Sequence, residues 1–271
     1  MRISFIGLGH LNSAILAGLL TTEVARTDLR ATTHSNETAQ QRAGEFGIDV
    51  VATQTDSEAN RKAVTGADLV VLGVKPKDIV ATAQELAPAL RPTTTVVSVA
   101  AGITLDALIA ALPQGQPVVR TMPNVALTVG KGVVGMTAGA TVTNEQVEQV
   151  KELFAASGTV FSLPEEQLNA LAAIAGSGPG YVFRFVNALA AAGTELSLDH
   201  ATATELARLT VVGAGSMLDD PAADPTALEA SIATEGGTTQ AALNSMDADG
   251  FNQLIGDALR ANVARSEELG A

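Results

Sequence analysis

The fold of this chain is decided by its first strand and the turn after it, Arg2-Ile3-Ser4-Phe5-Ile6-Gly7-Leu8-Gly9-His10-Leu11-Asn12. Residues 2–6 are β-rich, and residues 12–20 carry apolar side chains at helical spacing. Glycines between a strand and a helix are typical of a dinucleotide-binding loop, because Gly7 permits a tight turn and Gly9 lets the backbone approach a pyrophosphate. Asn12 stands where the usual pattern has a third glycine. A turn that binds no ligand is the alternative interpretation.

Strands and helices alternate through the first 162 residues. We predict strands over residues 2–6, 29–33, 68–74, 95–99, 118–122, 132–136 and 159–162, the last at a sheet edge. We predict helices over residues 12–20, 39–46, 79–90, 105–112 and 145–156. Residues 68–74 form a continuous apolar run, which is typical of a strand buried on both faces. The alternation predicts an α/β, Rossmann-type N-terminal domain over residues 1–162, with a mainly parallel, doubly wound sheet.

After Leu163 and Pro164, every periodic segment is helical. Helical spacing recurs over residues 167–175, 181–192, 201–218, 226–233, 239–246 and 251–269. We therefore predict an all-α C-terminal domain over residues 163–271. Residues 181–189 and 206–218 carry apolar side chains on more than one helical face. We expect a second copy of the chain to cover them, which makes the protein a homodimer.

Composition narrows the classes of partner. The 271 residues suit two domains, and 46% hydrophobic with 17% charged residues is typical of a globular protein. The formal charge of −13 argues against nucleic acid, and no apolar run is long enough to span a membrane. The chain has no Cys and three scattered histidines, His10, His34 and His200, so no metal site is predicted. Because a strand begins at residue 2, leaving no room for a signal peptide, we expect a cytoplasmic protein.

The ends of the predicted strands carry candidate cofactor residues, since ligands of open α/β sheets bind at carboxyl ends. These candidates are Gly73, Val74, Lys75 and Pro76 after the third predicted strand, Val99, Ala100 and Ala101 after the fourth, and Met122 and Asn124 at the fifth. The second strand ends at Thr33, His34 and Ser35 without an acid. Hydroxyl and imidazole groups can donate to a 2′-phosphate that an acid would repel. The sequence therefore favours NADPH over NADH, with a plain polar turn as the alternative.

A glycine-rich stretch late in the chain, Thr234-Glu235-Gly236-Gly237-Thr238-Thr239, precedes a predicted helix. Backbone N–H groups at a helix start have no partner within the helix, so they attract a carboxylate or a phosphate. A threonine that caps the helix is the alternative interpretation. A second glycine-rich turn, Gly176-Ser177-Gly178-Pro179-Gly180-Tyr181, lies earlier. Three such loops indicate a cofactor and a small anionic substrate brought together.

These motifs resemble those of the Δ1-pyrroline-5-carboxylate reductase family, which catalyses the last step of proline biosynthesis. The resemblance covers nearly the whole chain and follows the order of motifs in the family. Besides the loop at residues 7–12, the matching pieces are Asn60, Val74-Lys75-Pro76, Ala100-Ala101-Gly102, Arg120 with Met122-Pro123-Asn124, Gly176-Ser177-Gly178-Pro179 with Tyr181, and Gly236-Gly237-Thr238-Thr239.

The resemblance implies NADPH-dependent hydride transfer to the C=N carbon of a small anionic cyclic imine, which yields L-proline. It also implies a Rossmann domain, an all-α dimerisation domain, and a site completed between subunits of a dimer, often within a larger ring. The strand ends and the resemblance together give these predicted cofactor-binding residues: Ile6, Gly7, Leu8, Gly9, His10, Leu11, Asn12, Thr33, His34, Asn60, Gly73, Val74, Lys75, Pro76, Val99, Ala100, Ala101, Met122 and Asn124. The implied substrate-binding residues are Thr234, Gly236, Gly237, Thr238 and Thr239.

Thr239 is the implied catalytic residue, because its hydroxyl would hydrogen-bond the ring nitrogen. A protonated imine is already electrophilic and needs no strong base or nucleophile. This chemistry suits a chain without an evident Cys, His or carboxylate catalytic group. Catalysis would then consist mainly of positioning and electrostatics.

The chain departs from the family pattern at two places. Thr234 and Glu235 stand where the family has Ser-Pro, and Val125 and Ala126 stand where it has Thr-Pro. A reductase of a related cyclic imine is therefore an alternative function, and a catalytically silent NADP-binding homologue is another. A β-hydroxyacid-type dehydrogenase would need a lysine in residues 168–181, and none is present there.

Overall fold

The computed structural model describes residues 1–270, which divide into two compact units. The first unit comprises residues 1–176 together with the chain from Val263 onward, and the second comprises Ser177–Asn262. Ala271, the last residue of the predicted helical domain, lies outside the described residues. None of the helices in residues 1–270 has both the length and the apolar character that a membrane span requires.

The first unit is built on one sheet, which contains eight strands in the described part of the chain. They are β1 (Ile3–Ile6), β2 (Leu29–Thr33), β3 (Asp49–Ala52), β4 (Leu69–Leu72), β5 (Thr95–Ser98), β6 (Val118–Pro123), β7 (Gly132–Ala138) and β8 (Gly158–Ser162). Their order is β3-β2-β1-β4-β5-β6-β7-β8, and only the β6–β7 pair is antiparallel. The strand order reverses beside β1, which is where ligands bind in doubly wound sheets.

Helices cover both faces of this sheet. They are α1 (His10–Leu19), α2 (Asn36–Phe46), α3 (Ala59–Val64), α4 (Ile79–Leu86), α5 (Leu105–Ala111), α6 (Asn144–Ala155) and the short α7 (Leu168–Leu171). Alternate residues of a strand point to opposite faces. Leu69 and Val71 of β4 accordingly enter one apolar core, while Val70 and Leu72 enter the other. The predicted fold class and the burial of this strand on both faces are confirmed.

The structure also differs from the sequence prediction in three places. It adds β3 and α3, which are only four and six residues long and therefore too short to give a clear periodic signal. Residues 165–176, predicted as one helix over 167–175, form a 3₁₀ turn, the four-residue α7 and a π-helical turn at Ala172–Gly176. The amide of Asn124 donates to the Ala175 carbonyl oxygen at 2.9 Å, which takes this carbonyl into a tertiary contact.

The second unit is helical throughout. It contains α8 (Gly178–Glu195), α9 (His200–Met217), α10 (Pro225–Ile232), α11 (Thr238–Ala248) and the first part of α12 (Phe251–Gly270). Small residues hold α8 against α9, since a Cβ on Gly193 would lie 3.3 Å from the Ala203 Cβ. Large apolar side chains remain exposed on the same helices, among them Val182, Phe183, Phe185, Leu206, Leu209 and Val212.

The loop between β1 and α1 depends on a close contact with the end of β4. Gly7 has φ +83°, a conformation that favours glycine. The buried Asn12 side chain donates to the Gly7 carbonyl oxygen at 3.0 Å. A Cβ on Gly73 would lie 2.2 Å from the Asn12 amide nitrogen. Gly73 therefore supplies the space that the larger residue at position 12 requires.

We expect Gly73→Ala to lower the free energy of unfolding by about 1–3 kcal/mol, because Asn12 must leave the Gly7 carbonyl while it stays buried. In an Asn12→Gly background the loss should be smaller, since that change frees the space for the new Cβ. Urea unfolding of the two single variants, the double variant and the parent measures this coupling.

Gly44→Ala is the control, because no described atom outside the local helix backbone lies within 4 Å of a Cβ there. Equal losses from Gly73→Ala in both backgrounds would contradict the contact between positions 12 and 73.

Candidate active site

A cavity of about 590 Å³ opens at the carboxyl ends of β1, β2 and β4. Nine of the predicted cofactor residues line it: Gly7, Leu8, Gly9, Thr33, His34, Asn60, Gly73, Val74 and Lys75. Seven residues in its lining were not predicted as cofactor residues: Thr32, Ser35, Thr38, Thr53, Lys77, Asp78 and Thr82. We call this space the first cavity.

A chain of hydrogen bonds supports the glycine loop from below. The Gly7 N–H lies 3.4 Å from the Thr32 hydroxyl oxygen, and that hydroxyl donates to the Asn60 side-chain oxygen at 2.8 Å. The Asn60 amide nitrogen lies 3.4 Å from a carboxylate oxygen of Glu85. Thr32 and Asn60 are both buried. Asn60 therefore fixes the shape of the loop as well as lining the cavity.

The far end of the first cavity is formed by the tip of β2 and the start of α2. Ser35 caps α2 by accepting a hydrogen bond from the Thr38 N–H at 3.3 Å. The N-terminus of this eleven-residue helix carries partial positive charge. Lys75, Lys77 and Asp78 lie in the same lining. The helix N-terminus and the two lysines favour an anion here, whereas the charge of Asp78 opposes it.

A second cavity of about 480 Å³ lies at the ends of β5 and β6. Its lining is largely apolar and includes Pro76, Ala101 and Met122, which were predicted as cofactor residues. The other lining residues are Lys77, Gly102, Ile103, Arg120, Leu168, Asn169, Ala172 and Ser266. Lys77 belongs to the linings of both cavities, so the two spaces adjoin.

Seven predicted cofactor residues lie outside both linings: Ile6, His10, Leu11, Asn12, Val99, Ala100 and Asn124. Ile6, Val99 and Ala100 are buried in the core. Asn124 is also buried, and its side-chain oxygen accepts from the Val133 N–H at 3.1 Å while its amide donates to Ala175. These contacts give Asn124 a role in holding the chain at the end of β6.

The predicted substrate loop lies in the second unit at the start of α11. The Gly237 N–H donates to the Thr234 carbonyl oxygen at 2.9 Å, and Gly236 has φ +73°. Helix α11 begins with Gly237 as its N-cap and has no side-chain cap. The N–H groups of Thr238 and Thr239 therefore have no capping side-chain oxygen, which is a condition of the carboxylate-binding prediction.

Glu235 occupies the second position of this turn and is exposed. A turn with positive φ at its third residue favours proline at its second, which accounts for the Ser-Pro of the family pattern. Gly237 must be glycine, because a Cβ there would lie 2.6 Å from the Thr234 hydroxyl oxygen. The departure from the family pattern at positions 234 and 235 therefore leaves the turn intact.

The turn at residues 176–181 begins α8 and is tied to α12. The Asn262 amide donates to the Ser177 hydroxyl at 2.8 Å and to the Tyr181 hydroxyl at 3.2 Å. Sequence analysis did not identify Asn262, because nothing in its local sequence marks a residue whose partners lie more than 80 positions away. Within residues 1–270, no group of three or more His, Asp or Glu side chains is arranged to hold a metal ion.

Comparisons with known proteins identify the family of this chain. The family model described as pyrroline-5-carboxylate reductase dimerisation matches residues 165–269, and the model described as NADP oxidoreductase, coenzyme F420-dependent, matches residues 2–102. The pyrroline-5-carboxylate reductase of Pseudomonas aeruginosa is 41% identical over 269 residues, covering 99% of this chain and 96% of the relative.

Two solved structures have the same fold. A pyrroline-5-carboxylate reductase from Coxiella burnetii matches with a TM-score of 0.92 and 31% identity, covering 100% of this chain and 98% of the other. A pyrroline carboxylate reductase from Plasmodium falciparum, solved with NADP bound, matches with a TM-score of 0.83 and 22% identity, covering 100% and 98%. This chain therefore belongs to the pyrroline-5-carboxylate reductase family of oxidoreductases, as its motifs predicted.

Proposed function

We propose that this protein reduces Δ1-pyrroline-5-carboxylate to L-proline with NADPH, the last step of proline biosynthesis. The observation that carries the proposal is the pair of adjoining cavities at the carboxyl ends of the strands. One is walled by a glycine loop and the other is largely apolar. We also propose that the protein is located in the cytoplasm.

The residues of the first unit fit a dinucleotide. A Cβ on Gly9 would meet no described atom within 4 Å. Because Gly9 is the N-cap of α1, there is open space beside the start of this helix. We assign the phosphates to the loop from Ile6 to Asn12, and the nicotinamide end to the second cavity with Met122. When bound, this cofactor supplies the hydride. We further propose that residues 1–162 bind the dinucleotide, and that residues 163–271 form the dimer and bind the substrate.

The residues of the second unit fit the anionic imine. The N–H groups of Gly236, Thr238 and Thr239 would hold the carboxylate, while Gly237, whose N–H donates to the Thr234 carbonyl oxygen, closes the turn with Thr234. The Thr239 hydroxyl would hydrogen-bond the ring nitrogen and fix the face of the imine that receives the hydride. The family resemblance supports a site completed between two copies of the chain.

The direct test is an assay of the purified protein with Δ1-pyrroline-5-carboxylate and NADPH, following NADPH oxidation and quantifying proline by chromatography. We expect stoichiometric formation of proline. Because Glu235, Val125 and Ala126 depart from the family pattern, the assay should include the six-membered cyclic imine carboxylate. If NADPH is oxidised only with the six-membered imine, that compound is the substrate in place of Δ1-pyrroline-5-carboxylate. If NADPH is oxidised with neither imine, the reductase assignment is wrong.

Cofactor preference depends on the tip of β2. We propose that Thr33, His34 and Ser35, together with the start of α2, favour a 2′-phosphate, so that NADPH is used in preference to NADH. Thr33→Asp should reverse this preference by at least about tenfold in the ratio of kcat/KM values, because a carboxylate repels phosphate and accepts from a ribose hydroxyl.

Thr33→Val is the matched control, since it removes the hydroxyl without adding charge. Steady-state kinetics with both cofactors separates the two effects. Equal use of NADPH and NADH by the parent protein would contradict the proposed preference.

Thr239 is proposed to orient the imine nitrogen. Thr239→Ala should lower kcat/KM by about tenfold to a hundredfold, because a hydrogen bond to a charged partner contributes about 1.5–3 kcal/mol. Thr239→Ser, which keeps the hydroxyl, should retain much of the activity. NADPH affinity, measured by calorimetry, should change little in both variants. If the alanine variant had the kinetics of the parent, the hydroxyl of Thr239 would have no role in catalysis, and the residue would only form part of the first turn of α11.

The dimerisation family match supports homo-oligomerisation through the second unit. The exposed Phe183 and Val212 lie on α8 and α9, whereas Val186 and Val211, within the segments predicted to be covered, are partly buried in a single copy. We expect Phe183→Asp or Val212→Asp to lower the molar mass measured by light scattering and to reduce activity together.

Val129→Asp, at a side chain that is 71% exposed in the first unit, is the control and should leave assembly unchanged. A fully active monomer in either helix variant would contradict a site that needs two copies.

A further inference from the structure

Arg120 is a buried cation in the wall of the second cavity. It lies on β6 opposite Ser98 of β5, and its side chain is 9% exposed. One of its terminal nitrogens donates to a carboxylate oxygen of Glu165 at 2.6 Å. A guanidinium has five N–H donors, and the Arg120 Nε has no hydrogen-bond partner among the described residues. A buried donor without a partner is costly, so this guanidinium is suited to receive an acceptor from a ligand.

Glu165 joins Arg120 of β6 to the start of α5, and the chain just before it is paired with β7. The same carboxylate oxygen accepts from the Leu105 N–H at 2.7 Å, which links it to the start of α5. Just before Glu165, Leu163 is paired with β7, because its N–H donates to Met136 and its carbonyl oxygen accepts from the Thr137 hydroxyl at 2.7 Å. Glu165 therefore fixes Arg120 relative to the Ala101–Ile103 segment, which lines the same cavity.

The surroundings indicate which acceptor fits. Ala101, Ile103, Met122, Leu168 and Ala172 are apolar, and the other charged residue in the lining is the exposed Lys77. The charge of Arg120 is already paired with Glu165, so a second carboxylate would add an uncompensated negative charge in an apolar place. A neutral carbonyl oxygen would accept hydrogen bonds from the unpaired N–H donors of Arg120 without adding a negative charge.

We propose that Arg120 is a positioning residue for the nicotinamide ring: its guanidinium donates to the carboxamide oxygen, and Glu165 keeps it in place. The inference rests on the proposed function, which assigns the nicotinamide end to the second cavity. The pairing also cancels the charge of Arg120 toward the cationic imine, so the cavity can admit a protonated substrate beside a guanidinium.

The test compares NADPH with 2′-phospho-ADP-ribose, a fragment that lacks the nicotinamide. Isothermal titration calorimetry on the whole protein should show that Arg120→Met weakens NADPH binding about tenfold or more and leaves fragment binding nearly unchanged. Glu165→Gln, which keeps Arg120 but loosens it, should weaken NADPH by less and spare the fragment. Arg120→Lys keeps the charge and a donor, so its NADPH affinity should lie between those of the parent and Arg120→Met. This variant replaces Arg120→Met in the test if the methionine variant does not fold.

Three results would overturn the proposal. Equal weakening of NADPH and the fragment would reduce Arg120 to a structural residue. Unchanged NADPH affinity with a raised KM for the imine would assign the guanidinium to the substrate carboxylate, and unchanged values throughout would leave it no role in binding. Because binding is measured without turnover, a parent protein that failed to make proline would refute the proposed function without deciding this one.

Discussion

The first cavity depends on one steric constraint, the close approach of α1 to the end of β4. Asn12 is larger than the glycine usual at its position, and it fits because Gly73 has no side chain. The same amide holds the Gly7 carbonyl, and Gly7 must adopt a positive φ for the chain to turn from β1 into α1. The Gly7 and Leu8 N–H groups are held by the side chain and the carbonyl oxygen of Thr32, so the loop is fixed by contacts with β2 and with the end of β4. The backbone of the proposed phosphate site is therefore preorganised by a contact in the core.

Fold class could be predicted from the sequence because its causes are local. The apolar run at residues 68–74, the helical spacing after Pro164 and the glycines at positions 7 and 9 each carry their own signal. The loops that line the cavities were predictable for a related reason, since the carboxyl ends of parallel strands meet at one edge. Elements of four to six residues, such as β3 and α3, gave no such signal.

The parts that sequence could not provide are contacts between residues distant along the chain. Glu165 lies 45 positions from Arg120 and 60 from Leu105, and Glu85 lies 25 from Asn60. Nothing in the residues around Glu165 distinguishes it from Glu166, which is also charged and also stands in the same 3₁₀ turn. Only the fold brings one of these carboxylates to the guanidinium. The hydrogen bonds of Thr32 with Gly7 and Asn60 could not be predicted either, because they follow from the direction of one side chain in a buried strand.

The reaction class explains why such positioning contacts matter more here than reactive groups. A protonated imine and a hydride donor need alignment and no strong base, so the free-energy barrier depends on how firmly the two are held. The chain carries a formal charge of −13, yet its ligands are anions, so attraction must come from groups at short range. In the proposed site, backbone N–H groups at the starts of α1, α2 and α11 supply this attraction together with Lys75 and Lys77. The starts of α1 and α11 are shaped by Gly7 and Gly236, and α1 also by the buried Asn12 amide, whereas Ser35 caps α2, so their geometry does not depend on surface charge.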